Sequence, residues 1–562
     1  MKKGFTLIEM IGVMVILSLL LAFVMPNVIN YVKKGGDIKD KATKEILYTA
    51  AKKYMKDNKG DFKEDIHNTY CINIKDLSEQ GYVESPIILS SSNKDITKDT
   101  STSVKVTYDK KYKYDLEENC EEKIHPTPVL SKGLTPIKYD EENSKWVVAD
   151  KTKNDWYDYD KQEWANAVTL LPGVTKKVGD EVKVDGTEAS MMLVWIPKYE
   201  YKIEGDYGKG GTSADLPGEI EVNFVLRTKK GYNETTGYRV HPAFTFGDQD
   251  VSGFWIGKFE LSHETLSSNV NVNNLNCSTE NCENASGFRI LPNVASLRSN
   301  NVANLWYGIK SIENTDLFGL SNIDSHMIKN AEWGAVAYLS QSKYGKYGNK
   351  KYTGANKEIY QNKSSNYITG SSNGTPTQSD SRSGDQCVYN DMQDLGEDTN
   401  GYKKGQCGPG ASTTGNIYGV YDMNGGTWEY MMSARKSDNK IYIGRNSEKN
   451  SGFKGLYSEG GEKIDGVNLP DLRYYDLYTA DDTYIACDND ECYGHALSET
   501  NSWYNNNAIN PTNGNYEYVA GYFDLLRGGY ESFGVHGGIF TYGNYDYEGF
   551  FLVTSRVVIL KK

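Results

Sequence analysis

The sequence predicts an α+β protein: a long N-terminal helix carries a small β head, and a large loop-rich domain of short strands follows. Three observations point there. Phe5 to Val24 is a run of twenty residues with a single charge, at Glu9, which as helix is long enough to span a bilayer core of about 30 Å. Ile38, Ala42, Ile46, Ala50, Tyr54 and Met55 then recur at helical spacing among Lys, Asp and Glu, as an amphipathic continuation requires. From about residue 187 onward the pattern becomes short apolar runs between Gly/Asn/Ser/Tyr loops, the signature of short strands with long connections.

Expected boundaries follow in order: a leader at 1–4, the long helix at 5–58 with its membrane half at 5–24, a small head at 59–122, a linker and Trp-rich lead-in at 123–186, and the large domain at 187–562. A chain of 562 residues suggests three or four packed units. Hydrophobic residues make up 38% and charged residues 24%, so the chain has the composition of a folded protein. The net charge of −13, with no basic block beyond the N-terminus, excludes nucleic acid as a natural partner. Tyrosine is abundant at 43 residues; it suits recognition surfaces and β-rich cores alike.

The opening Met1-Lys2-Lys3-Gly4 precedes an apolar run longer than a secretory signal core and without an A-x-A type site, so the run is expected to be retained. Glu9 costs several kcal/mol in a bilayer helix unless it is paired. Gly4-Phe5-Thr6-Leu7-Ile8-Glu9 after a short basic leader resembles the type IV prepilin signature. The resemblance implies that a prepilin peptidase cuts after Gly4 and methylates the new terminus at Phe5. It also implies that Glu9 meets the N-terminal amine of a neighbouring pilin subunit, so that only the correct axial register neutralises both charges. The implied partners are the peptidase, other pilin subunits and the membrane assembly machinery. The implied location is the bacterial cell membrane, as a single-pass precursor, and then an extracellular filament at the cell surface. Pro26 is expected to kink the helix.

In the head, Ile74 to Leu77 reads as a short helix, and Val104 to Tyr108 with Tyr112 to Tyr114 as a strand pair. The eight cysteines fall as sequence-local couples: Cys71 with Cys120, Cys277 with Cys282, Cys387 with Cys407, and Cys487 with Cys492. On the order of a hundred connectivities are open to eight cysteines; loop closure and domain membership favour neighbour pairing. Zinc is the rival reading, but C-x4-C is wider than the usual knuckle. The prolines at 126, 128 and 136 mark a boundary.

In the large domain, Met191 to Pro197, Phe254 to Glu260, Ile417 to Tyr421 and Val557 to Leu560 read as strands. Four segments in order resemble the formylglycine-generating-enzyme domain, a variant of the C-type lectin fold. They are Phe254 to Glu260, Lys329 to Tyr338, Gly419 to Tyr430, and Arg527-Gly528-Gly529 with Ser555 to Val558. Within the third, Asp422 and Asn424 are expected to fasten their own turn, with Gly425 and Gly426 permitting it and Trp428 plugging a core.

The enzymes of that family carry a reactive thiol pair that binds copper after the Arg-Gly-Gly piece. Gly528 to Lys562 holds no cysteine, so the resemblance implies a fold without the oxidase chemistry. There is no HExxH or P-loop either, and the expectation is a protein that is not an enzyme. His241, His326 and His536 read as surface or hydrogen-bonded core groups. No cofactor or metal is expected, apart from a structural calcium among Asp488, Asn489, Asp490 and Glu491.

Tyr530 to Phe551 mixes Tyr, Phe, His, Asn, Asp and Gly, as paratopes combine rigid aromatic anchors with adaptable polar groups. In C-type lectin-like proteins diversified by retroelements, the ligand-facing residues lie in this interval. The expected contacts are Tyr530, Ser532, Phe533, His536, Tyr542, Tyr545 and Tyr547. The expectation is a minor or tip pilin whose lectin-like domain binds a protein or glycan ligand; the alternative is a structural pseudopilin that initiates or caps a filament.

Overall fold

The computed structural model describes Met14, residues 39–203, 217–373, 387–437, 440–442, 470–479, 484–485, 492–505, 516–517, 525–544 and 552–562, less 91–92, 154, 268–270, 272, 315–317, 353–356, 398, 400, 402, 501–502 and 535–536. The chain divides into two compact units, Met1–His125 and Pro126–Lys562, fewer than its length suggests. Strands and loops dominate the described residues and helices are few. Apart from Met14, the apolar run of the expected long helix lies outside them. No helix among the described residues is long and apolar enough to cross a membrane.

In unit 1, helix α1 covers residues 39–57. Its buried stripe is Leu47, Ala50, Ala51 and Met55, while Ile46 is 59% exposed. The stripe is thus displaced by one position from the expected register, because Leu47 and Ala51 form a continuous i, i+4 row with Met55. Strand β1 (Thr69–Asn73) leads directly into α2 (Ile74–Glu79), whose N-cap Asn73 side chain accepts from Lys75 N. Strands β2 (Thr102–Asp109) and β3 (Lys111–Glu118) form a hairpin closed on Lys110 at φ 60°, and β1 pairs antiparallel with β2. Tyr70, Ile72, Val104 and Val106 fill the interior. Cys71 is bonded to Cys120.

Unit 2 is built on a seven-stranded antiparallel sheet. In chain order its strands are β4 (Leu134–Asp140), β5 (Lys145–Val148), β6 (Asn166–Leu170), β7 (Ala189–Pro197), β8 (Gly253–Gly257), β9 (Ile323–Met327) and, last in sequence, Val557–Lys561. Their spatial order is β9, Val557–Lys561, β8, β7, β6, β4, β5. Residues 134–170, expected as linker and lead-in, therefore supply three strands of this sheet, and the two units divide between His125 and Pro126, where the first of the boundary prolines stands. The physical reason is in the tryptophans: Trp146 and Trp164 are buried, and Trp164 Nε1 donates to Tyr344 O at 2.8 Å.

Helix α3 (Val302–Lys310) precedes β9 in sequence and α4 (Asn330–Ser340) follows it; every residue of α4 is buried. A second sheet contains β10 (Trp428–Tyr430), β11 (Leu525–Gly528), β12 (Gly538–Asn544) and β13 (Val553–Thr554), in the order β12, β11, β10, β13. The final strand of the first sheet is then β14 (Val557–Lys561).

Ile417 to Tyr421, expected as a strand, is a buried turn. Three of its carbonyls are satisfied by side chains instead of a ladder. The buried Lys258 ammonium donates to Ile417 O at 2.7 Å and Gly419 O at 2.8 Å, and Asn166 Nδ2 donates to Tyr418 O at 2.8 Å. Cys277 pairs with Cys282 and Cys387 with Cys407; Cys492 is also disulfide-bonded, and Cys487 lies outside the described residues.

Candidate functional site

Strands β11 and β12 form a hairpin whose connection carries three of the expected contact residues, Tyr530, Ser532 and Phe533. Its register shifts between Arg527 and Gly528, and Gly528 and Gly529 both take left-handed backbone, at φ 87° and 82°. A Cβ at Gly529 would stand 2.8 Å from Gly537 Cα. Only glycine lets the two sides of the turn approach this closely.

The turn is fastened to the loop before β10. Glu531 N donates to Gly426 O at 3.1 Å, Gly425 N donates to Gly528 O at 3.1 Å, and Phe533 N donates to Tyr530 O at 2.9 Å. Gln361 Nε2 donates to Tyr530 O at 3.4 Å. Glu531 is buried while Tyr530, Ser532 and Phe533 are half-buried. The Phe533 ring meets the Trp428 indole edge-on at 5.1 Å and Tyr530 at 5.1 Å. These contacts hold two partly exposed aromatic faces in place before any ligand arrives.

Tyr542 differs from its expected place. It is 4% exposed on β12, near the Arg527 guanidinium at 5.7 Å, so it is a core residue in this structure and not a surface contact. His536, Tyr545 and Tyr547 lie outside the described residues, as do Gly4, Phe5 and Glu9, and the acidic loop of Asp488, Asn489, Asp490 and Glu491.

Beneath the turn, Asp422 at φ 62° fastens a different loop from its own. Its carboxylate accepts from Asn362 Nδ2 at 2.9 Å and Gly370 N at 2.8 Å. Asn424 Nδ2 donates to Ile359 O at 2.7 Å. The segment 359–370 is thereby tied to the turn by side chains some 60 residues away, a link without a local sequence signal. Gly426, at φ 71°, is required because a Cβ there would stand 2.7 Å from Glu260 Oε1.

Three buried carboxylates surround one guanidinium. Glu260 accepts from Thr427 N at 2.8 Å and from the Ser296 hydroxyl. Burial, then the neighbouring Asp422 and Glu429 charges, push its carboxyl well up. Burial also raises Asp422 to about 6, although Arg556 works against it. His326, buried, sits between Asp324 at 2.8 Å and Glu332 at 2.9 Å, a hydrogen-bonded core group. Among the described residues, the one cluster of His, Cys, Asp and Glu able to converge on a metal lies in unit 1, at Asp65, His67 and His125. Sequence reading missed it because His125 comes 60 residues after Asp65.

Residues 1–25 match the family model of the prokaryotic N-terminal methylation motif. The match supports a type IV pilin-like precursor, and with it processing by prepilin peptidase, assembly with other pilin subunits, and passage from a membrane-anchored precursor to a surface filament. No curated protein matches the chain. Among solved structures, the M1 variant of a major tropism determinant is similar at 10% identity, covering 77% of this chain and 96% of its own, with a TM-score of 0.22. Its P3c variant is similar at 12% identity, covering 78% and 97%, also at a TM-score of 0.22. Likeness at that level carries no structural argument.

Proposed function

We propose that this chain is a minor or tip subunit of a type IV pilus-like filament, whose C-terminal unit binds a protein or glycan ligand and so serves adhesion. The filament part rests on the methylation motif at residues 1–25. The binding part rests on one observation: Tyr530 and Phe533 offer half-buried aromatic faces from a turn that Glu531, Gly426 and Gln361 fasten from below. A rigid aromatic pair flanked by Ser532 loses little conformational entropy on contact. The C-terminal unit, with the formylglycine-generating-enzyme-like motifs and no cysteine from Gly528 onward, acts in this reading as a binding module and not as an enzyme.

The test uses the purified full chain in detergent on glycan and surface-protein arrays. A ligand whose affinity falls about tenfold or more with Tyr530→Ala or Phe533→Ala supports the reading, as expected for hot-spot aromatics. Absence of any ligand, together with filaments that fail to initiate when the chain is deleted, would favour the structural pseudopilin instead. Glu9→Gln is expected to reduce incorporation into filaments while leaving ligand binding by the solubilised chain unchanged.

A further inference from the structure

Unit 1 holds a side-chain cluster that the pilin reading leaves without a role. Asp65, His67 and His125 place their ligand atoms within 4.8 Å of one another. His67 Nδ1 lies 2.9 Å from Asp65 Oδ1, and His125 Nδ1 lies 3.0 Å from Asp65 Oδ2. The two imidazole rings are 5.3 Å apart. An ionised carboxylate only accepts, so each Nδ1 carries the proton in this arrangement.

The scaffold under the cluster is fixed from several directions. Asp65 is 6% exposed at its side chain, and His67 N donates to Asp65 Oδ1 at 2.8 Å. His125 N donates to Asn68 Oδ1 at 2.6 Å, and Asn68 Nδ2 donates to Tyr70 OH at 2.6 Å. Thr69 and Lys123 exchange backbone hydrogen bonds at 2.8 and 2.9 Å, with the Cys71–Cys120 bond nearby in sequence on both sides. The loop entering β1 and the segment leaving the unit are therefore held together before any ion is added. The preorganised geometry lowers what a ligand must do on binding.

We propose that Asp65, His67 and His125 form a binding site for a divalent first-row transition metal, zinc being the natural occupant. Two imidazole nitrogens and one carboxylate oxygen are the ligand set of such ions, whereas calcium and magnesium prefer oxygen alone. Donor atoms around a tetrahedral zinc stand about 3.3 Å apart; each imidazole Nδ1 lies 2.9 or 3.0 Å from a different Asp65 oxygen, and with the three ligand atoms within 4.8 Å of one another a modest rearrangement brings them to that spacing. His67, 56% exposed at its side chain, and His125, 20% exposed, leave one side toward water, where a solvent molecule completes the coordination. On binding, the neutral imidazoles carry their proton on Nε2 and release Nδ1 to the metal. The ion then clips the loop entering β1 to the segment that leaves unit 1.

The experiment uses the untagged full chain in detergent, stripped with a chelator and titrated with Co2+ as a spectroscopic probe, then with Zn2+. The expected result is one Co2+ per chain with a d–d absorption band, its displacement by Zn2+, and a rise in the melting temperature by a few degrees. His67→Gln changes an exposed side chain and preserves the fold, so it serves as the main variant; it is expected to weaken uptake at least tenfold, and His67→Gln with His125→Gln to abolish it. Melting curves of the metal-free variants confirm folding. Uptake that is sub-stoichiometric in the wild type, or unchanged in His67→Gln because other histidines account for it, overturns the proposal.

Discussion

Arg556 and Glu429 meet as a two-point pair in the interior of unit 2, Nε to Oε2 at 3.0 Å and Nη2 to Oε1 at 2.5 Å, with both side chains fully buried. Arg556 Nη1 also donates to Gly257 O at 2.9 Å, so one guanidinium joins β8, β10 and the start of β14.

Removing one partner strands the other beside Asp422 and Glu260. Arg556→Met is expected to cost about 3–5 kcal/mol in urea unfolding, because an uncompensated buried carboxylate remains. The double substitution Arg556→Met with Glu429→Met should cost clearly less than the single one. Equal costs would show that the guanidinium acts through packing alone.

Glu499 makes the stability of unit 2 depend on pH, with a definite sign. Tyr201 and Tyr338 donate to its carboxylate at 3.0 and 2.8 Å and Gly494 N at 2.6 Å, yet burial raises its pKa from 4.5 to about 7. A raised acid binds its proton more tightly when folded, so this contribution is full below pH 4.5 and is lost as pH rises to about 7. The loss amounts to about 3 kcal/mol at most. Glu499→Gln should remove it, and the difference between wild-type and variant stability, measured from pH 4 to 8, should change across that window and be flat above it.

The two tyrosines of the hairpin should separate by readout. Tyr542→Ala empties a buried site and is expected to cost about 3–5 kcal/mol. Tyr530→Ala, on the half-buried turn, should cost about 1 kcal/mol or less. If Tyr530→Ala destabilises as much as Tyr542→Ala, the turn is core and the proposed binding face is lost.

In unit 1 the Cys71–Cys120 bond closes a loop of 49 residues. Replacing both cysteines by Ala is expected to destabilise this unit by about 2–4 kcal/mol, through the entropy returned to its unfolded chain. Thermal unfolding followed by a probe in unit 1 checks it; no change would mean that packing of Leu47, Ala51 and Met55 suffices alone.

Much of this was legible wherever the determinant is local. The alternation of Val104, Val106 and Tyr108 is β2, and the short helix read from Ile74 is α2. Cysteines near one another in sequence are bonded at 71–120, 277–282 and 387–407. What failed was non-local. Ile417 to Tyr421 has the composition of a strand, but Lys258 and Asn166, far away in sequence, take its carbonyls and remove the need for a ladder. The strands at 134–170 were obscured by their prolines and tryptophans, since pairing partners are not visible in composition. In the site, the half-buried placing of Tyr530 and Phe533 goes with two adjacent glycines at 528 and 529 that turn the chain, whereas the burial of Tyr542 depends on register within β12.

The position of β14 has a consequence for biogenesis. Residues 557–561 lie between β8 and β9, so β9 and the second edge of β8 find their partner in this sheet only after those residues have been synthesised. The sheet cannot close progressively during synthesis. Those edges of β8 and β9 therefore stay open through nearly the whole synthesis of this chain, and open edges of that kind are where a slow-pairing sheet is exposed to aggregation.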